Sequence, residues 1–390
     1  MNDVLDLFKG VGVIIDDALA NPNSNDVIWK IKKHFEDKFI PILSYKELPS
    51  NENVSNFHTV SFLLLDWDLH GQLPVGVSKP QTATDDNIEF IKQFNSICFA
   101  PIFIFSNENT DDIKNKLAQE NLYDLTKSNH IFVESKGNVK QARTLFSKIK
   151  TWLLKTPSMY VLKEWESSLS KAKRDLFWDF YSTTPYWTNI LINTFKTDGV
   201  DENHELSALI YKNLIARTNP PAFDEKFLNK NIKRIPKEDL RKVLECERFL
   251  KNDKLSDVPA TGDIFKENRD YFINIRPDCD ILRKGDEVLL YCLDGEVVKE
   301  QNINARKKSK IIFHNGELIE KNYHIYVSFI DNGKIVEFKF NKDIVQYKWK
   351  EVKGKRIGRL LPPYITRLQQ KYAFYLQRQG LPAIPEKAIK

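Results

Sequence analysis

The chain is expected to combine three parts: an α/β doubly wound five-stranded parallel sheet, a helical module, and a small antiparallel β-barrel or sandwich with a C-terminal helix. Three observations predict this. Over residues 1–154, five short apolar runs alternate with helical stretches, the signature of a parallel sheet covered on both faces. Over 155–255 the strand pattern stops and a 3.6-residue periodicity takes over. Over 256–390, short alternating runs are separated by Asp-Gly and Asn-Gly turn signals.

The elements follow in order. VGVII (11–15) reads as a buried strand that ends in Asp16-Asp17, and NDVIWKIKKHFEDKF (25–39) puts Ile28, Ile31 and Phe35 on one helical stripe. FIPIL (39–43) is a second strand, and VSFLLL (60–65) is a third, ending on Asp66. DDNIEFIKQFNSI (85–97) is a helix that Asp85 or Asp86 can cap. APIFIF (100–105) is a fourth strand leading to Ser106, with the helix DDIKNKLAQENL (111–122) behind it. HIFVE (130–134) is the fifth; Lys136 and the amphipathic helix NVKQARTLFSKIKTWLL (138–154) come next.

Three helical segments, 158–182, 203–217 and 236–252, make up the middle block. Its aromatic residues Trp165, Phe177, Trp178, Phe180, Tyr181, Tyr186 and Trp187 read as core or domain-contact residues. Beyond it, strands are expected at 261–265, 270–275, 287–293, 295–302, 308–315, 324–330, 334–340 and 345–352. CLDGEV (292–297) and IDNGKIVEF (330–338) carry hairpin signals. The segment 363–380 closes the chain as a helix with Ile365, Leu368, Tyr372 and Leu376 on its apolar stripe and Gly380 as its stop. The loop 276–286 reads as a turn holding a part-buried Cys279.

Composition narrows the setting. At 42% hydrophobic and 12% aromatic residues, the chain can build folded cores. No window offers the ~18 uncharged apolar residues of a membrane span, and no basic stretch precedes an apolar block near residue 1, so a cytoplasmic protein without membrane or secretory signal is expected. Cys98, Cys246, Cys279 and Cys292 form no CxxC pair, which suits free thiols in a reducing compartment. Charge is uneven: residues 1–150 hold 16 Lys and Arg against 20 Asp and Glu, whereas 301–390 hold 19 against 7. The two ends are therefore expected to meet different partners.

The chemistry concentrates at the strand ends. In a doubly wound sheet the ligand site lies beyond the carboxyl ends of the strands. Asp16 and Asp17, Asp66, Ser106 and Lys136 all fall there. Three converging carboxylates repel one another unless a cation sits among them, and hard oxygen donors suit Mg2+. A hydroxyl and a lysine beside them are what a phosphoryl group on one carboxylate would need.

The segments VIIDD, FLLLDWD, FIFSN and FVESKG resemble, in type and order, the strand ends of response-regulator receiver domains. These are the phosphoacceptor half of two-component signalling, and the likeness covers about 150 residues, two-fifths of the chain. The resemblance implies Asp66 as the phosphoacceptor and Asp16 and Asp17 as Mg2+ ligands, with the backbone carbonyl of Asp68 as another. It implies that Ser106 and Lys136 each bind a phosphoryl oxygen, and that a histidine-kinase-type ATPase is the phosphodonor. The chain departs from the family in the 40-residue separation of Asp66 and Ser106, in Asn107 where a small residue is usual, and in Gly137 where proline is usual. Phe132 is the candidate for the family's aromatic switch.

At the other end, KWKEVKGKRIGR (348–359) sets Trp349 among Lys348, Lys350, Lys353, Lys355, Arg356 and Arg359, a pattern that suits phosphate contact and base stacking. NARKKSK (304–310) adds a second basic run. The expected function is response-regulator-like signal transduction through an unusual output domain, with autophosphorylation and autodephosphorylation as its only catalysis and dimerisation among its expected properties. The alternative is a stress or phage-defence effector whose receiver-like domain gates a nucleic-acid-binding or nucleic-acid-acting C-terminal domain.

Overall fold

The computed structural model describes Phe8 and residues 10–21, 27–69, 81–139, 141–228, 235–281, 287–298 and 324–377. The chain divides into two compact units, Met1–Ser182 with Asn213–Ile232 and Thr183–Lys212 with Lys233–Lys390.

The first unit runs β1 (Val11–Ile15), α1 (Val27–Asp37), β2 (Ile42–Tyr45), α2 (Asn51–Val54), β3 (Val60–Asp66), α3 (Gln81–Ile97), β4 (Ile102–Ser106), α4 (Thr110–Gln119), β5 (Ile131–Ser135), α5 (Ala142–Lys155) and α6 (Pro157–Thr183). The strand order is β2-β1-β3-β4-β5, all parallel. This is the flavodoxin-like doubly wound order, with its switch point between β1 and β3.

Strand periodicity decides which helix each residue meets. Ile14, Phe62, Leu64, Phe103 and Phe105 face α1 and α5, against Ile28, Ile31, Phe35, Leu145 and Ile149. Val13, Ile15, Leu63, Leu65, Ile102 and Ile104 face α3 and α4, against Ile91, Phe94, Ile113 and Leu117. Burial on both faces explains why β3 and β4 are mostly apolar, with FLLL (62–65) and IFIF (102–105) as continuous runs. The first half of α6 joins the core through Met159 and Tyr160, whose ring stacks on Phe227 at 4.6 Å. Helix α3 begins at Gln81, four residues before the expected start, and the loop before it lies outside the described residues.

The aromatic residues of the middle block do not form a core: none of the seven is buried, and Trp178 and Tyr181 are 63% and 74% exposed. The buried stripe of α6 is Met159, Tyr160, Lys163, Ala172 and Leu176. Its aromatic residues lie mostly on the turns beyond that stripe.

The second unit contains α7 (Trp187–Thr197), most of α8 (Glu202–Arg217), and α9 (Lys237–Arg248). Its strands are β6 (Phe249–Lys251), β7 (Asp263–Glu267), β8 (Asp270–Asn274), β9 (Leu289–Val297), β10 (His324–Ile330), β11 (Lys334–Lys339), β12 (Val345–Lys348) and β13 (Arg356–Leu360). Short helices α10 (Asp278–Ile281) and α11 (Trp349–Val352) interrupt them, and α12 (Tyr364–Leu376) follows. The strands form one antiparallel, nearly closed barrel in the order β10-β11-β9-β8-β7-β13-β6, with β12 paired to β9. Ile365 and Leu368 of α12 enter its core, whereas Leu376 is exposed.

Several local expectations change. CLDGEV is not a hairpin: Asp294 and Gly295 lie inside the continuous strand β9. A Cβ at Gly295 would come within 2.6 Å of the Phe338 ring, so this glycine answers a cross-strand packing need and not a turn. VQYKWKEV changes from strand to helix at Trp349, and RIGRL (356–360) is a strand that its charge concealed. Cys279 is exposed, on α10, because that single helical turn shows Ile281 to the core instead. Residues 295–297 of the expected strand 295–302 belong to β9, while its second half (299–302), the expected strand 308–315, the basic run 304–310 and Gly380 lie outside the described residues. No helix among the described residues is long and apolar enough to cross a membrane.

The IDNGK turn does join β10 to β11, with positive φ at Asp331, Asn332 and Gly333. Asp331 accepts from Lys334 Nζ (2.6 Å), Tyr271 Oη (2.6 Å) and Lys266 Nζ (3.1 Å). Burial raises its pKa, but these donors outweigh burial and bring it to about 2 from 3.8. A depressed carboxylate pKa adds stability that is present above the unfolded value and lost as pH falls through the folded one. The barrel is therefore expected to lose about 2 kcal/mol between pH 4 and pH 2 through this group, and Asp331→Asn should flatten that part of the profile. Guanidinium unfolding at several pH values checks this; an unchanged slope in the variant would remove Asp331 as the cause.

Candidate functional site

Strand register assembles the site before any side chain is considered. Ile15 pairs with Leu65, so Asp16 follows β1 beside Asp66, the last residue of β3. Asp66 pairs with Phe105, and Ser106 with Ser135, so Ser106 and Lys136 complete the row on β4 and β5. The five residues stand on one carboxyl edge around the switch point, where such sheets bind ligands.

Asp66 and Ser106 are fully buried, Asp16 is 3% exposed, and Asp17 is half-buried. Carboxylate oxygens of Asp16, Asp17 and Asp66 all lie within 4.8 Å of one another, a spacing at which one cation can be held. Lys136 Nζ donates to Asp66 Oδ2 at 2.5 Å and lies 3.6 Å from Asp16 Oδ2. Asp66 Oδ1 accepts from the Asp68 N–H at 2.9 Å. Asp16 caps the 3-10 turn Asp17–Ala20 by accepting from the Ala18 N–H. That cap and the strand before it fix the direction of its carboxylate.

Among the described residues the charge balance is incomplete: the carboxylates of Asp16, Asp17 and Asp66 cluster around the single ammonium of Lys136. Burial, then repulsion from Asp66, raises the Asp16 pKa to about 6. Burial also raises Asp66, against the pull of Lys136. Burial alone would lower Lys136, but Asp66 and Asp16 together outweigh it and hold the ammonium above its ordinary value. A site that strains toward protons in this way would accept a cation instead, and its all-oxygen donors select a hard one.

Two concavities flank the row. A cleft of about 580 Å³ is bordered by Asp17, Lys46, Leu48, Trp67, Asp86 and Phe90. A smaller hollow of about 200 Å³ lies between Asp16, Lys136, Phe105 and Ile28. Trp67 is fully buried and packs in the core between the sheet and α3. Phe132 is half-buried, edge-on to Phe103 with ring centroids 6.2 Å apart.

Asp68 is placed differently from expectation. Its side chain reaches across to β4, where Oδ2 accepts from Ser106 Oγ at 2.8 Å and from the Asn107 N–H at 2.9 Å. Sequence reasoning credited Asp68 only with a carbonyl. The available signal was its place two residues beyond the strand end, where a tight turn throws the side chain toward the next strand.

Two residues of the C-terminal basic stretch, Trp349 and Arg356, turn inward. Trp349 is fully buried against Phe265, under the Arg356 guanidinium at 5.1 Å, so its ring offers no face for a base. Arg356 is 5% exposed and donates to Asn252 Oδ1, Ser256 O and Val258 O. Arg359 Nε donates to Asp263 Oδ1 at 2.6 Å. Lys348 and Lys350 pair with Glu287, Lys353 with Asp257, and Lys355 with Glu267. Alternation along β13 turns Arg356 inward, and α11 turns Trp349 inward, which a linear count of charges does not see.

Comparisons with protein-family models, with curated proteins and with solved structures return no match to this chain.

Proposed function

We propose that the first unit is a phosphoacceptor signalling domain: Asp66 takes a phosphoryl group from a histidine-kinase-type donor with Mg2+ as cofactor, and the modified site governs the second unit. The observation that carries this reading is one buried carboxylate, Asp66, gripped by a lysine on one oxygen and a backbone N–H on the other, inside a cation-sized set of acids.

Asp16, Asp17 and Asp66 fit a hard divalent cation, which when bound would spread the charge of the transferring group. Asp66 supplies the nucleophilic oxygen. A new O–P bond forms as the bond to the donor's leaving atom breaks, and the leaving group keeps the bonding pair. Lys136, already 2.5 Å from Asp66 Oδ2, is placed to follow the negative charge onto a phosphoryl oxygen. The added dianion changes what Lys136 must pair with, and that exchange is the switch.

With Mg2+ and acetyl phosphate, the protein is expected to gain the mass of one phosphoryl group, and Asp66→Asn to gain none. Intact-mass spectrometry reads the difference. A folded wild type that gains nothing from acetyl phosphate or phosphoramidate removes the reading.

A further inference from the structure

We infer that Asp68 is a built-in carboxylate plug: it occupies, with its own oxygen, the oxyanion slot made by Ser106 Oγ and the Asn107 N–H, and must leave before a phosphoryl oxygen can enter. The inference takes Asp66 as the acceptor and so rests on the reading above.

The slot is a real pair of donors aimed at one point. Ser106 Oγ and Asn107 N meet a single oxygen, Asp68 Oδ2, at 2.8 and 2.9 Å. The Ser106 hydroxyl is fully buried and accepts from the Glu108 N–H at 2.9 Å, so its own proton is left to point at Asp68. A hydroxyl and an amide converging on one anionic oxygen are the contacts a phosphoryl oxygen would also seek.

The plug and the acceptor are tied by one turn. The Asp68 N–H holds Asp66 Oδ1 at 2.9 Å, while the Trp67 N–H donates to Phe105 O at 2.9 Å, the carbonyl just before Ser106. The backbone of Asp68 is therefore fixed beside Asp66 and its side chain is fixed on β4. Lys136 is the other donor that Asp66 meets among the described residues, so a phosphoryl group would meet one side of its cradle ready and the other side filled. Asp68 is half-buried, at the rim, and has solvent to swing into. Ser106 and Asn107 would then exchange one anionic acceptor for another, with no donor left bare.

The test uses the full chain with Mg2+, and two readouts. The first is titration of inorganic phosphate into protein labelled with ¹⁵N-asparagine, following the Asn107 amide. Asp68→Ala should bind phosphate at least about tenfold more tightly than wild type, the factor that one ordinary hydrogen bond amounts to. Asp68→Asn loses the charge but keeps an oxygen of the same reach, and should fall between the two. Equal affinity in wild type and Asp68→Ala overturns the plug. An equal gain in Asp68→Asn and Asp68→Ala also overturns it, since charge alone would then be the cause. The second readout is the rate of mass gain from acetyl phosphate, expected to rise by a similar factor in Asp68→Ala; equal rates in the two proteins count against the plug. If neither protein gains mass, the phosphoacceptor reading fails, and the phosphate titration still decides whether Asp68 fills the slot. Unchanged melting of the variants guards against a simple folding loss.

Discussion

Lys136→Met is expected to destabilise the first unit by about 2–4 kcal/mol at pH 7.5 without divalent cation, because it strands two buried carboxylates. Lys136 is the cation the structure pairs with both Asp66 and Asp16, and these are 0% and 3% exposed. Methionine keeps the length and apolar stem and removes the ammonium, so the loss is chiefly electrostatic. The lysine itself is 30% exposed in its side chain, which sets the figure below that of a fully enclosed pair.

Two conditions should restore the loss. In the wild type the Asp16 pKa is already raised to about 6, so the folded state holds protons that the unfolded state releases. Stability from such a group is full below about pH 4 and is lost as pH rises through 6. Without Lys136 this tendency strengthens, and the deficit should shrink at pH 5. Millimolar Mg2+ at pH 7.5 should restore stability by the other route, as a cation held by Asp16, Asp17 and Asp66. Hydrogen exchange of peptides covering Val60–Asp66 reads the effect as a loss of protection by roughly two powers of ten. A loss under tenfold, insensitive to pH and to Mg2+, would mean that the acids are not held by this lysine.

Asp263→Asn is expected to cost the barrel about 3–5 kcal/mol. Asp263 is fully buried and lies between Arg359, 2.6 Å from Nε, and Arg356, 3.5 Å from Nη1. Burial pushes its carboxyl above the ordinary range despite both guanidinium groups. Asparagine has the same shape and can still accept from the Ala260 N–H, which Asp263 now does at 2.9 Å. What is lost is the one charge that balances Arg356, whose side chain is 2% exposed. Protection should fall in β7, β8 and β13 and stay unchanged in β1, β3 and β4. A cost below about 1 kcal/mol would show that the carbonyls of Ser256 and Val258 suffice for Arg356.

The front sheet was legible because each strand has its own vocabulary. VGVII, VSFLLL and APIFIF are almost wholly apolar, as suits strands buried on both faces, and each ends where polar residues begin. That abrupt change marks the sheet edge, and parallel register does the rest for Asp16, Asp66, Ser106 and Lys136. The side chain of Asp68 was not legible, because its target on β4 lies 38 residues away and is set by tertiary approach. In the barrel, the same rules failed where one residue type serves two needs. Gly295 looked like a turn and makes room for Phe338. Arg356 and Trp349 looked like a surface and are packed together. Charge pattern says how many arginines there are; only strand alternation and a buried counter-ion such as Asp263 say which of them face water.

The chain crosses between its two units three times, after Ser182, after Lys212 and after Ile232. The segment 213–232 completes the first unit: Phe227 lies flat on Tyr160, and the Asp224 N–H donates to its hydroxyl at 2.7 Å. The two units are thus interleaved along the sequence. No single cut in the sequence separates them, so neither unit can be exchanged by a gene fusion at one junction. The two units of such a chain are inherited as one whole and vary by substitution within it.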